Sequence, residues 1–277
     1  MSEERPSNAP QMASPSYRLP ALDQDFLLGD STRGVRFLLE YEKAEQALRQ
    51  WAVVSTIVVF GSARILEDGP PRHAKWYDDA RTFARIASQR GGALKVNHGG
   101  ARENVIATGG GPGIMEAANR GAYDAGAPNI GFNIRLPHEQ EPNGYSTPSL
   151  TFRFHYFAMR KMHFAMRANA LVVFPGGFGT LDEAFEILTL RQTGKAPVIP
   201  VLLYDERYWR SLINFDMLVE EGMIDRADLG LFRFADTPEA AWETLVGQGL
   251  GAAHSPDSAH EAAEQVQITV APKNPTT

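Results

Sequence analysis

Cysteine is missing from the 277 residues, and its absence removes disulfides, thiolate metal sites and cysteine nucleophiles together. That suits a reducing compartment. No stretch reaches the roughly 18 consecutive apolar residues of a membrane span. The start of the chain, Met1 to Leu19, is polar, with several Pro and Ser, and lacks the apolar centre of a secretory signal. Cytoplasm is the expected location, with no membrane partner. Clustered cations are lacking too: 27 Lys and Arg stand against 33 Asp and Glu, mixed along the chain, for a net charge of −6. A phosphate backbone needs clustered Lys and Arg, so nucleic acid is not an expected partner, while a small anion remains compatible. The seven histidines show neither H-x-x-x-H nor HExxH spacing, and no metal ligand is expected.

What is present is enough apolar residue, 43%, to bury a sizeable core. Both ends read as disordered, residues 1–25 and 252–277, because Pro, Ser, Ala and Glu dominate them and little apolar surface is available to offset ordering entropy. The interval 26–251 reads as one catalytic domain. Its first helix is capped by Asp30 or Ser31, with a stripe of Val35, Leu38, Leu39, Tyr41, Ala44 and Leu48. Apolar strands are expected at Thr56–Phe60, Asn104–Ala107, Asn129–Ile134, Ala170–Phe174, Val198–Leu203 and Leu231–Phe234. Helices are expected between them, near Ala74–Arg90, Pro112–Ala125, Phe157–Arg167, Leu181–Arg191, Tyr208–Glu221 and Pro238–Val246. Strands apolar on both faces that alternate with helices predict an α/β fold: a Rossmann-like, doubly wound parallel sheet covered by helices on both faces.

Two glycine-rich segments follow such strands and open helices: TGGGPGIMEAA (Thr108–Ala118) and PGGFGTLDEA (Pro175–Ala184). Glycine lets backbone N–H groups approach an anion, and a helix N-terminus adds partial positive charge, so a phosphate is the natural guest. Neither segment contains G-x-x-x-x-G-K-[ST], which argues against a P-loop NTPase. Ile114 occupies the place of the last glycine of G-x-G-x-x-G, which disfavours a dinucleotide and favours a mononucleotide. Glu183 has two readings. With Thr180 it forms a Thr-x-x-Glu capping box, or it stands at the rim of a phosphate loop as carboxylates do in glycoside hydrolysis. Arg160 and Lys161 are either a solvated helix face or cations aimed into a cleft, where the planar fork of Arg suits phosphate. Glu139 and Glu141 belong either to an ordinary acidic loop or to the ligand edge. Ser62 and Arg64 end the first strand in a turn, where Ser62 is placed to donate to a ligand.

PGGFGTLDE fits the PGGxGTxxE signature, and GSAR, GGGPGIMEAAN, MRKMHF and FEILTLRQTGK fit around it. On these motifs the chain resembles the LOG (LONELY GUY) family, cytokinin riboside 5′-monophosphate phosphoribohydrolases long labelled lysine decarboxylases, and within it the longer bacterial branch. The resemblance covers roughly Ser55 to Leu245. It implies a nucleoside 5′-monophosphate substrate, cleaved to free base and ribose 5-phosphate, with cytokinin, AMP or another purine or pyrimidine monophosphate as candidates. It implies a homodimer or higher homo-oligomer and no metal or organic cofactor. By position, Arg160 and Glu183 correspond to the catalytic pair. Lys161, Gly176, Gly177, Gly179, Thr180 and Thr189 correspond to substrate contacts, and Glu139, with Glu141 as its competitor, to an acidic one. Ser62, Gly110, Gly111, Gly113 and Met115 are further substrate-binding candidates from the loops after the first two strands. The segment Gly91–Glu103 is longer than the family pattern. A non-hydrolytic nucleotide or molybdenum-cofactor carrier is the alternative. A pyridoxal-dependent decarboxylase is disfavoured, since no lysine sits in a recognisable cofactor setting.

Overall fold

The computed structural model describes residues 5–94, 100–136 and 141–250. It divides into two compact units, residues 1–43 and 44–277. In the first unit, short helices α1 (Ala9–Ala13) and α2 (Gln24–Leu28) alternate with single 3-10 turns, several begun by proline, and none of the helices or turns before Gly29 buries a residue. The sequence reading expected disorder up to residue 25. Thr32 is the knot of this unit: its hydroxyl lies within hydrogen-bonding reach of the carbonyls of Phe26, Leu27 and Gly29, at 2.8–2.9 Å. Helix α3 (Arg33–Gln50) runs across the division between the units. Its expected stripe is only half buried: Val35, Leu38 and Leu39 are exposed, and burial starts at Ala44 and Leu48.

The second unit is built on one seven-stranded parallel sheet. Its strands are β1 (Thr56–Phe60), β2 (Val105–Thr108), β3 (Ile130–Ile134), β4 (Thr151–Phe154), β5 (Ala168–Val173), β6 (Val201–Tyr204) and β7 (Arg233–Ala235). Their spatial order is β4-β3-β2-β1-β5-β6-β7. The chain therefore winds outward in one direction from β1 and in the other from β5. The junction of these two strands is the place where such sheets open a crevice for ligands. Six strands match the expected ones to within a few residues. The seventh, β4, went unread because TFRF is short, alternates and puts an exposed Arg153 in its middle, which suits an edge and not a buried strand.

Side chains alternate across the sheet and fill two cores. Ile57, Val59, Ala170, Val172 and Leu202 point to the layer of α4 (Pro71–Arg90), α5 (Ile114–Asp124) and the last helix, Pro238–Gly247. Val58, Phe60, Leu171, Val173 and Leu203 point to the other layer, with Leu48, Phe164, Ile187 and Trp209. That second layer includes α6 (Phe157–Arg167) and α7 (Phe178–Gln192). The helix expected over Tyr208–Glu221 is two helices, α8 (Glu206–Leu212) and α9 (Phe215–Glu220). Asn214 interrupts it and caps α9 by accepting from the Met217 N–H at 3.1 Å. The last helix is α10.

Candidate functional site

Loops after β1, β2 and β5, with the end of β3 and faces of α6 and α8, enclose a cavity of about 690 Å³ in the second unit. It lies beside the β1–β5 junction. Ser62, Met115, Arg160, Gly176, Gly177, Gly179, Thr180 and Glu183 all line it. Gly110, Gly111, Gly113, Lys161 and Thr189 do not. Glu139 lies outside the described residues. Glu141 borders a neighbouring cavity with Thr151 and Arg153.

The two glycine loops are built differently. In the first, polar groups are used internally. The Gly110 N–H donates to Thr108 Oγ1 at 2.9 Å, and the Thr108 hydroxyl donates to Asn119 Oδ1 at 2.7 Å. Asn119 Nδ2 donates to Asn129 Oδ1 at 2.7 Å. Asn143 Nδ2 reaches both Asn119 Oδ1, at 2.9 Å, and the Gly111 carbonyl, at 3.1 Å. A fully partnered buried amide network rigidifies what it touches. Gly113 turns with φ of 71° so that the Ser62 carbonyl can accept from Ile114 N–H at 3.1 Å; any side chain there would strike the Ser62 carbonyl.

The second loop is open. Helix α7 starts at Phe178, three residues before the expected start, with Gly177 as its N-cap and no side-chain cap bond. Its first main-chain bond runs from Leu181 N–H to the Gly177 carbonyl, so the preceding N–H groups are free of helical partners. Gly177, Phe178 and Gly179 are exposed along the cavity. Thr180 therefore sits inside the first turn and not at the cap, and the capping-box reading of Glu183 fails. The loop is held from behind. The Tyr208 hydroxyl donates to the Gly176 carbonyl at 2.8 Å. Asp205, in the left-handed region at φ 69°, caps α8 through the Tyr208 N–H at 2.9 Å. It also accepts from Trp76 Nε1 at 2.9 Å and Arg72 at 3.1 Å.

Glu183 instead faces Arg160, with Oε1 3.0 Å from Nη1, and both side chains are about nine-tenths buried. Arg160 Nε donates to the Phe132 carbonyl at 2.8 Å, which fixes the guanidinium against β3. Burial pushes the Glu183 carboxyl up to about 7 from 4.5, against the opposing pull of Arg160. Burial also lowers the Arg160 guanidinium, while the Glu183 charge acts the other way. Lys161 turns away to Asp182 at 2.9 Å and Glu186 at 3.2 Å. Thr189 is exposed farther along α7. The cavity rim is apolar: Phe157, Phe178 and Leu212 are largely exposed. Asn133, Tyr208 and this rim went unread, because each is an ordinary residue in its own segment and becomes a wall only when β3, α6 and α8 meet the loops. Among the described residues, no group of three His, Asp or Glu side chains could hold a metal ion, and no helix is long and apolar enough to cross a membrane.

Residues 115–245 match the family model described as possible lysine decarboxylase. A probable cytokinin riboside 5′-monophosphate phosphoribohydrolase, LOG4 of Oryza sativa subsp. japonica, is 31% identical over 136 residues, covering 48% of this chain and 58% of that protein. The chain thus spans little more than half the length of that relative. The X-ray structure of the structural-genomics target TM1055 aligns at 21% identity with a TM-score of 0.50, covering 70% of this chain and 99% of that one. A molybdenum cofactor binding protein from Rippkaea orientalis aligns at 19% identity with a TM-score of 0.48, covering 70% and 96%. The PGGFGTLDE loop and the Arg160–Glu183 pair both fall within the segment 115–245, and over that segment the chain is similar to the possible lysine decarboxylase family.

Proposed function

We propose that the protein hydrolyses the N-glycosidic bond of a nucleoside 5′-monophosphate, giving the free base and ribose 5-phosphate. The observation that carries this reading is the buried Arg160–Glu183 pair on the wall of a cavity into which an uncapped helix N-terminus opens. The name of the rice relative, a probable cytokinin riboside 5′-monophosphate phosphoribohydrolase, supports it.

In this reading the 5′-phosphate meets the free N–H groups at the start of α7, where the helix dipole favours an anion. The base lies toward the apolar rim of Phe157, Phe178 and Leu212. As the C1′–N bond breaks, its electron pair leaves with the base and positive charge grows on the ribose. The Glu183 carboxylate stabilises that charge, as carboxylates do in glycoside hydrolysis. A water oxygen then bonds to C1′. Its proton passes to Glu183 and on to the departing base, and a carboxyl with a pKa of about 7 can both take and return it near neutral pH. Arg160 holds the carboxylate in place. A homo-oligomer belongs to the same reading, supported by the exposed rim, which a second copy can cover.

The test is to incubate the purified protein with AMP, a cytokinin riboside monophosphate, CMP, UMP and GMP, and with their nucleosides and triphosphates. Free base and ribose 5-phosphate are then measured. Stoichiometric release of both from at least one monophosphate is expected. Intact substrate in every tube overturns the reading.

A further inference from the structure

Asn133 is a buried polar side chain of the cavity wall that nothing above uses. It sits on β3 and is 8% exposed, and its Nδ2 has no hydrogen-bond partner among the described residues. A buried donor left unpaired costs about 1–3 kcal/mol, so such groups are uncommon where no ligand completes them. The first glycine loop also makes room for it. A Cβ on Gly110 would lie 2.3 Å from Asn133 Nδ2, closer than real atoms come, and Gly110 has φ of 69° besides. The loop therefore accepts a glycine at that place and an unpaired amide against it.

Asn133 follows Phe132, whose carbonyl receives Arg160 Nε, so it stands next to the Arg160–Glu183 pair. The free N–H groups for a phosphate belong to another element, α7. Arg64, Arg160 and Glu183 are ionic, and among the described residues Asn133 is the only amide side chain on the wall. A neutral amide offers a donor and an acceptor without a charge to desolvate, and a sugar hydroxyl offers the same two functions in return. A half-turn of the amide exchanges its nitrogen and oxygen, so either can face the hydroxyl.

We propose that Asn133 binds a ribose hydroxyl of the substrate and makes the site selective for ribose over deoxyribose. This rests on the hydrolytic reading for its kinetic form but not for its binding form. The experiment compares wild type, Asn133→Ala and the near-isosteric Asn133→Leu on AMP, 2′-deoxy-AMP and 3′-deoxy-AMP. Wild type is expected to prefer AMP about tenfold in kcat/KM over at least one deoxy substrate, the effect of one hydrogen bond. Both variants are expected to lose about tenfold on AMP and to lose nothing more on that deoxy substrate, so that the preference disappears. Equal losses on all three substrates, or no loss on AMP, overturn the proposal. Urea unfolding of each variant shows which of them is folded. Calorimetric titration of AMP and 2′- and 3′-deoxy-AMP into Glu183→Gln, with and without Asn133→Ala, reads the same contact without turnover. If wild type releases no base yet the titration shows selectivity that depends on Asn133, the hydrolytic reading falls and this one stands. If base is released and the selectivity is indifferent to Asn133, the reverse holds.

Discussion

The second unit holds two buried Arg–Glu pairs that use the same chemistry to opposite ends. Glu45 meets Arg167 through two oxygens, both at 2.7 Å, and Arg49 Nε adds a third contact at 2.6 Å. Burial raises the Glu45 carboxyl, but these hydrogen bonds outweigh it and hold the group down to about 2. Glu183 has one contact, at 3.0 Å to Arg160, and burial wins, leaving it up at about 7. Arg167 also donates to the Val53 carbonyl at 3.2 Å, tying α6 to the segment that leads into β1. A bidentate, fully partnered pair is a staple. A pair held at one point, facing a cavity, keeps its carboxylate available for chemistry.

This contrast can be broken by experiment. The largest effect is expected from Glu183→Gln, which should lower kcat for monophosphate hydrolysis by roughly 10²–10⁴-fold while leaving the fold intact. Near wild-type turnover would place Glu183 among the staples. Glu45→Gln should do the reverse. Leaving Arg167 buried with a neutral partner should cost about 3–5 kcal/mol in urea unfolding, with AMP turnover by the folded fraction unchanged. A cost below about 1 kcal/mol would show that the bidentate pair does not hold α6 in place.

The pH dependence separates the pairs by sign. The folded Glu183 carboxyl titrates above its unfolded value of 4.5, so its contribution to stability is complete below pH 4.5 and lost as pH rises through about 7. The loss amounts to about 3 kcal/mol, and Glu183→Gln should abolish that slope. Glu45 titrates below 4.5, so its contribution is present above pH 4.5 and lost as pH falls toward about 2. Urea midpoints of wild type and both variants from pH 3 to 9 check both signs. A wild-type curve parallel to that of Glu183→Gln between pH 4.5 and 8 would remove the basis for treating Glu183 as the poised carboxyl.

The smallest effect tests what braces the open site. Tyr208→Phe deletes the bond to the Gly176 carbonyl, worth about 1 kcal/mol. It should raise KM for AMP a few-fold with kcat nearly constant. An unchanged KM would mean that the loop holds its shape without that bond.

Much of this was readable beforehand because its cause is local. Five consecutive buried residues in TIVVF cannot form a half-solvated strand, and glycines after such strands mark sheet-to-helix loops. Residues that fail this way of reading do so for stated reasons. Val35, Leu38 and Leu39 have helical spacing, yet spacing cannot say whether anything covers them. The Tyr208–Glu221 stretch carried one apolar period, but the side chain of Asn214 competes for the backbone and splits it.

By itself the sequence determined the parallel α/β sheet, the two glycine loops at its carboxyl edge and the PGGFGTLDE signature, since periodicity and backbone permissiveness act over a few residues. Only the tertiary structure decided that the first loop is knotted by Thr108, Asn119 and Asn143, that the second stays open, and that Glu183 caps nothing and faces Arg160. Those outcomes depend on which side chains meet across long sequence separations. The pKa of a buried carboxyl is likewise set by its count of partners, which no single segment contains.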